Sequence, residues 1–185
     1  MPFGRAKKKS EPLDESGLYE YAVKALGRRM RTVAELKRLM RSRAEEGERG
    51  AAAMEKVIAR LKEYGFLNDA DYAANYARLR QENASFGKRR VQRDLGQKGV
   101  HSEVIAKTLE AAYEEVNEEE LARRHLERKG VKKPANEKEA ARVMRMLMRA
   151  GFGAGVIFKI LKKWNVDEEA LAGLDEIEDE GPAPE

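Results

Sequence analysis

The chain contains no cysteine. Disulfides and thiolate-held zinc are therefore excluded, and the composition suits a reducing interior. Histidine is nearly as scarce. His101 and His125 are the only two in 185 residues. They stand in different helical contexts without an acidic partner arrangement, so surface or capping roles are expected of them rather than catalysis or metal binding. No apolar run approaches the roughly 18 residues of a membrane span, and the Lys7-Lys8-Lys9 start lacks a following secretory apolar stretch. A cytoplasmic location without membrane association is expected. Strand signals are missing too, with no sustained alternation and no Asn-Gly or Asp-Gly between alternating runs.

Motifs that carry chemistry are sparse as well. There is no Walker-type phosphate loop and no Gly-x-Gly-x-x-Gly. Gly151-Phe152-Gly153-Ala154-Gly155 is glycine-rich but follows a helix, so it reads as a helix stop. Ser85 and Ser102 have no candidate base nearby in sequence. Asp69 with Asp71, and the run Glu118–Glu120, fall at helix N-termini, where the helix dipole favours them. Trp164, Met144, Met146 and Met148 read as core or near-core residues. No constellation supplies a nucleophile, a base and an oxyanion donor together. The expectation is a protein that is not an enzyme and uses no cofactor and no metal.

What the chain does have is one pattern written four times: Leu, four residues later Gly, then an apolar residue. It occurs as Leu61-Gly65-Phe66, Leu95-Gly99-Val100, Leu126-Gly130-Val131 and Leu147-Gly151-Phe152. Glycine accepts the left-handed conformation that ends a helix, and the apolar residue after it is expected to fold back onto the Leu. Between these stops the apolar residues keep helical spacing. Examples are Leu18, Ala22, Ala25 and Leu26; Met54, Val57, Ile58 and Leu61; and Ile105, Leu109, Ala112, Tyr113 and Val116. Thr32 with Glu35 reads as a capping box, Asn68, Ser102 and Asn117 as helix starts, and Arg43–Gly50 as a turn.

Nine helices in three sets of three follow, an all-α tandem of three-helix repeats over 17–66, 67–116 and 117–164. A basic, disordered tail is expected over 1–16 and an acidic tail over 165–185. Repeats two and three align at a single offset: Val91 with Val143, Leu95 with Leu147, Gly99 with Gly151, Val104 with Val156, Ile105 with Ile157, Leu109 with Leu161. Such arrays act mostly as binding surfaces.

A formal net charge of +4 conceals a strong partition. Residues 165–185 carry nine acids and no Lys or Arg, which leaves 33 basic against 21 acidic residues over 17–164. A body this basic attracts polyanions, nucleic acid first and an acidic protein surface second. The cations lie opposite the apolar stripes. Before Gly151 they are Lys138, Arg142, Arg145 and Arg149; before Gly99, Arg89, Arg90 and Arg93; in the last helix, Lys159, Lys162 and Lys163; in the first repeat, Arg38 and Arg41. A line of cations costs a few tenths of a kcal/mol per neighbouring pair, and a merely solvated face would intersperse acids. Stacked repeats would join these stripes into one track suited to phosphate backbones or an acidic partner groove. A second reading keeps a stand-alone DNA-binding protein open, with the helices about Gly99 as a helix-turn-helix-like pair.

The residues also resemble those of the RecX family of bacterial regulators of the RecA recombinase. The likeness spans Leu18 to Trp164. It is strongest in Leu61-x-x-x-Gly65-Phe66-Leu67-Asn68-Asp69, in Tyr72-Ala73-x-x-Tyr76-x-x-x-Arg80, and in Gly87-x-x-Arg90-Val91-x-x-Asp94-Leu95-x-x-Lys98-Gly99-Val100. Leu147-Met148-Arg149-Ala150-Gly151-Phe152 carries it in the third repeat. Asp94 stands where the family commonly has Glu, and Ala150 where it commonly has a second Arg. The resemblance implies a curved, elongated array that binds the RecA–DNA filament. It implies inhibition of RecA's ATP hydrolysis, strand exchange and co-protease function, in recombination, DNA repair and the SOS response. Binding to single- or double-stranded DNA is expected to be weak and without sequence preference, by a monomer. The RecA- and DNA-facing residues are expected among Arg89, Arg90, Arg93, Lys98, Lys138, Arg142, Arg145, Arg149, Lys159, Lys162 and Lys163.

If the acidic end folds back over the basic track, deleting 165–185 raises DNA affinity, most strongly at low salt. Equal affinities of the full and shortened chains across a salt series would dismiss that competition.

Overall fold

The computed structural model describes residues 11–164; residues 1–10 and the acidic segment 165–185, where both expected tails mostly fall, lie outside the described residues. The described residues form nine helices: α1 (Glu15–Arg28), α2 (Val33–Arg41), α3 (Glu48–Glu63), α4 (Asp69–Ala84), α5 (Lys88–Gln97), α6 (Ser102–Tyr113), α7 (Glu118–Arg128), α8 (Glu137–Ala150) and α9 (Ala154–Lys163). Among these residues there is no sheet, only an isolated parallel bridge between Leu13 and Ala44.

Local chemistry sets the ends of these helices. Asp14, Thr32, Asn117 and Asn136 each accept a hydrogen bond from a backbone N–H of the following first turn. Such a cap contributes about 1 kcal/mol. At the other ends, Gly65, Gly99, Gly130 and Gly151 all take positive φ, at 71°, 77°, 64° and 94°. In three of them the residue after the glycine donates to the carbonyl of the patterned Leu: Phe66 to Leu61 at 2.9 Å, Val131 to Leu126 at 3.0 Å and Phe152 to Leu147 at 3.1 Å. This is the six-to-one bond of a Schellman stop. Phe152 and Val100 are also buried beneath their stops. Phe66 is not: it is 59% exposed, and the next residue, Leu67, enters the core instead. The backbone latch forms there without the side-chain one.

The described residues make two compact units. The first comprises residues up to 73 together with 96–104. Its core gathers Leu18 and Ala22 of α1, Leu36 and Met40 of α2, and Val57, Ile58 and Leu61 of α3, with Leu67. Order begins before residue 17: the Leu13 amide donates to the Arg43 carbonyl at 2.8 Å, and Asp14 caps a helix that starts at Glu15. The expected turn over Arg43–Gly50 is shorter, because α3 begins at Glu48. Thr32 is fully buried. Its hydroxyl accepts from the Glu35 amide and donates to the Lys98 carbonyl at 2.7 Å. The reciprocal half of the capping box is absent, since the Glu35 carboxylate takes the Lys98 ammonium at 3.2 Å.

The second unit comprises residues 74–95 and 105–164. Val91, Leu95, Ile105 and Leu109 are buried, as are Val143, Leu147, Ile157 and Leu161, the partners the repeat offset assigns them. The end of α8 meets the start of α5 backbone to backbone. The Gly87 amide donates to the Ala150 carbonyl at 2.9 Å, and the Arg89 amide to the Gly151 carbonyl at 3.3 Å. A Cβ on Gly151 would stand 2.2 Å from the Arg90 amide nitrogen, and one on Gly87 2.4 Å from the Gly151 oxygen. Only glycine permits this approach, and at Gly151 it also supplies the left-handed φ.

Replacing Gly151 by Ala combines a left-handed alanine with a backbone collision, and is expected to cost more than about 2 kcal/mol. Gly155→Ala, in the first turn of α9 with nothing near its missing Cβ, should gain about 0.5–1 kcal/mol. Thermal melts of the two variants would then move in opposite directions.

Candidate nucleic-acid interface

Helix α8 divides cleanly by face. Ala140, Val143, Met144, Leu147 and Ala150 are buried, while Lys138, Arg142, Arg145 and Arg149 are exposed. The Arg90 side chain comes to the same place from α5. Its Nε donates to the Asp94 carboxylate at 3.0 Å, and its Nη1 reaches the Arg149 carbonyl at 3.5 Å. The same carboxylate accepts the Tyr76 hydroxyl at 3.1 Å. With two anchors the Arg90 guanidinium is held above the Phe86 ring, 5.5 Å from its centroid.

These side chains border an open cleft of about 450 Å³ within the second unit. Arg90, Arg142, Arg145, Arg149 and Lys129 supply its charge, and no acidic side chain lines it. Phe86, His125, Met146 and Ala150 supply the remainder. An adjoining hollow of about 340 Å³ shares Lys129, Arg142 and Met146, and adds Lys132 and Lys133 with one acid, Glu139. Such a surface binds anions through charge-assisted hydrogen bonds, and arginine's fork suits the paired oxygens of phosphate or carboxylate.

His125 is where the structure departs furthest from the sequence reading. Expected at the surface, it is only 4% exposed, beneath the cleft it helps to line. Its Nδ1 lies 2.9 Å from the Ala84 carbonyl, and its ring sits 5.9 Å from Phe86 and 6.3 Å from Phe152. The carbonyl at the end of α4 gives one ring nitrogen a partner, so the remaining ring can join an aromatic cluster.

The eleven sequence-predicted cations do not all gather here. Arg90, Arg142, Arg145 and Arg149 line the cleft. Lys138 is exposed at the start of α8, and Arg89 and Arg93 are exposed on α5 outside the lining. Lys98 belongs to the first unit, where it pairs with Glu35 and lies 5.8 Å from the centre of the Tyr72 ring. Lys159, Lys162 and Lys163 are exposed on α9. Lys163 is bonded to Glu119 of α7, and that ammonium holds the Glu119 carboxyl below the usual carboxylate range. Sequence reasoning passed over Lys129, Lys132, Lys133 and Phe86. The lysines were visible as a run, but they follow a helix stop, where helical spacing assigns no face. The helix-turn-helix alternative receives an ill-suited reader, because the exposed residues of α6 include Glu103 and Glu110 alongside Lys107.

Among the described residues, no group of three or more His, Asp or Glu side chains is placed to hold a metal ion. Among the same residues, no helix is long and apolar enough to cross a membrane.

Two family models match: the second three-helix domain of RecX over residues 68–109 and the third over 117–161. The regulatory protein RecX of Mycolicibacterium vanbaalenii is 34% identical over 146 residues, covering 75% of this chain and 77% of its own. That of Deinococcus radiodurans is 30% identical over 155 residues, covering 84% and 72%. The crystal structure of RecX from Lactobacillus salivarius superposes with a TM-score of 0.67 at 20% identity, over 82% of this chain and 97% of that one, a likeness of fold.

The Phe86 backbone is held by Tyr113, whose hydroxyl donates to the Phe86 carbonyl at 2.9 Å. Burial pushes the Tyr113 phenol up to about 12. Its folded value lies above the ordinary value of about 10, so its contribution to stability is complete below pH about 10. It is lost as pH climbs toward about 12. Denaturant melts should weaken through that window, and Tyr113→Phe should remove that part of the decline.

Proposed function

The chain belongs to the RecX family, and from that premise we propose that it is a non-enzymatic regulator that lays the arginine face of α8 on the RecA–DNA filament. Binding there inhibits ATP hydrolysis, strand exchange and co-protease function. The observation that carries this reading is the acid-free lining of the cleft, where four arginines and a lysine converge; Arg90 is paired with Asp94, which lies outside that lining. Cations kept together on a folded surface repel one another, so their arrangement favours an anionic occupant from outside the fold.

The filament offers two kinds of anion, DNA phosphates and protein carboxylates, and arginine engages both in bidentate geometry. A protein that bridges several protomers and the enclosed strand stabilises one state of the filament over others. The three activities need the filament to cycle or to admit another molecule, so a bound regulator suppresses them without chemistry of its own. Contacts to phosphate carry no base sequence, in keeping with binding that ignores it.

The test is RecA ATPase on single-stranded DNA, with and without this protein. Wild type should inhibit at amounts well below the recombinase. Reversing Arg145 and Arg149 to Glu removes two charge-assisted contacts worth about 1.5–3 kcal/mol each. The inhibitory concentration should rise about 100-fold or more while helical circular dichroism stays unchanged. Full inhibition by a folded double variant would eliminate the role of this face.

A further inference from the structure

We infer that the cleft between α5, α7 and α8 seats an unpaired nucleotide, so that this face engages single-stranded DNA through a base as well as through phosphates. The inference rests on the reading above, that the α8 face meets an anionic polymer, and adds which polymer and which residues hold it.

Phosphate alone does not account for the lining. Arg142, Arg145 and Arg149 would serve any anion, yet they stand beside Phe86, Met146 and the buried His125 ring. Carboxylates alone leave that apolar part equally unused. A nucleotide requires both parts at once, cations for its phosphate and a ring or guanidinium plane for its base. The cleft, at about 450 Å³, falls in the range of about 300–1,000 Å³ that holds small organic ligands. In a duplex the base faces are stacked on their neighbours and out of reach. Only a strand with a free base can use the aromatic side.

The pair that would meet the base is already built. Asp94 and the Arg149 carbonyl hold the Arg90 guanidinium. Tyr113 and the glycine contact between α5 and α8 hold Phe86 and its backbone. Groups positioned before the ligand arrives lose little freedom on binding it.

The test compares three probes on the full chain: an oligothymidylate, the same strand with abasic sites replacing the thymines, and a duplex of equal length. Wild type should bind the oligothymidylate about tenfold more tightly than the abasic strand, one stacked base being worth about that. Phe86→Leu should bring the two to equal affinity. A 5-iodouracil strand, which photocrosslinks to aromatic, His and Met side chains, should attach to Phe86, His125 or Met146. This mapping needs no variant and survives a folding defect in Phe86→Leu. Equal binding of the thymidylate and abasic strands by wild type overturns the inference, as does crosslinking confined to the exposed Tyr64 or Phe66. So does polyglutamate of matched charge competing as well as the oligothymidylate. Each of these leaves the arginine face intact as an anion surface. If the double change Arg142→Glu, Arg145→Glu leaves the binding of all three probes undiminished, the underlying reading of the face fails, and this inference with it.

Discussion

Everything at the basic face depends on one backbone contact, the approach of the Gly151 stop to the first turn of α5. Two glycines without Cβ atoms let the amides of Gly87 and Arg89 reach the carbonyls of Ala150 and Gly151. That contact puts Arg90 within reach of the Arg149 carbonyl and Phe86 within reach of His125. A methyl group on either glycine would push the backbones apart by more than the width of a hydrogen bond tolerates. The stop that ends α8 is therefore also the joint that assembles the cleft.

The same device serves differently in the other unit. Gly99 ends α5 as Gly151 ends α8, but its missing Cβ makes room for Ala34 of α2, and the neighbouring Lys98 carbonyl caps onto buried Thr32. A helix stop repeated along the chain thus becomes a docking point whose partner varies. Phe66 marks the limit of that repetition: its backbone obeys the pattern while its ring stays in solvent.

Charge is handled in two ways within the fold. In the first unit, Lys37 pairs with Glu55, Lys56 with Glu15 and Lys98 with Glu35. Such exposed or half-exposed pairs add little stability each, but they neutralise the surface. No acid lines the α8 cleft itself, and the Asp94 carboxylate beside it is used to aim Arg90. The cations there sit opposite a fully apolar stripe, so the burial of Val143, Leu147 and their neighbours offsets the mutual repulsion of the arginines.

By itself the amino-acid order determined the helices, their stops and the repeat offset. Each of these rests on interactions within a few residues: a cap, a left-handed glycine, an apolar stripe every three or four positions. It also determined that Arg142, Arg145 and Arg149 share one side of a helix, because helical spacing alone decides that. Only the tertiary structure decided which cations meet. Lys98 was turned to Glu35 and Lys163 to Glu119, partners 63 and 44 residues away. The structure brought Lys129 and Phe86 to the arginines from a helix end and a turn, where no period operates. It also buried His125 against a carbonyl 41 positions distant. Helical order is local and can be read along the chain, whereas a cleft is made by surfaces that approach across it, and their approach is set by packing.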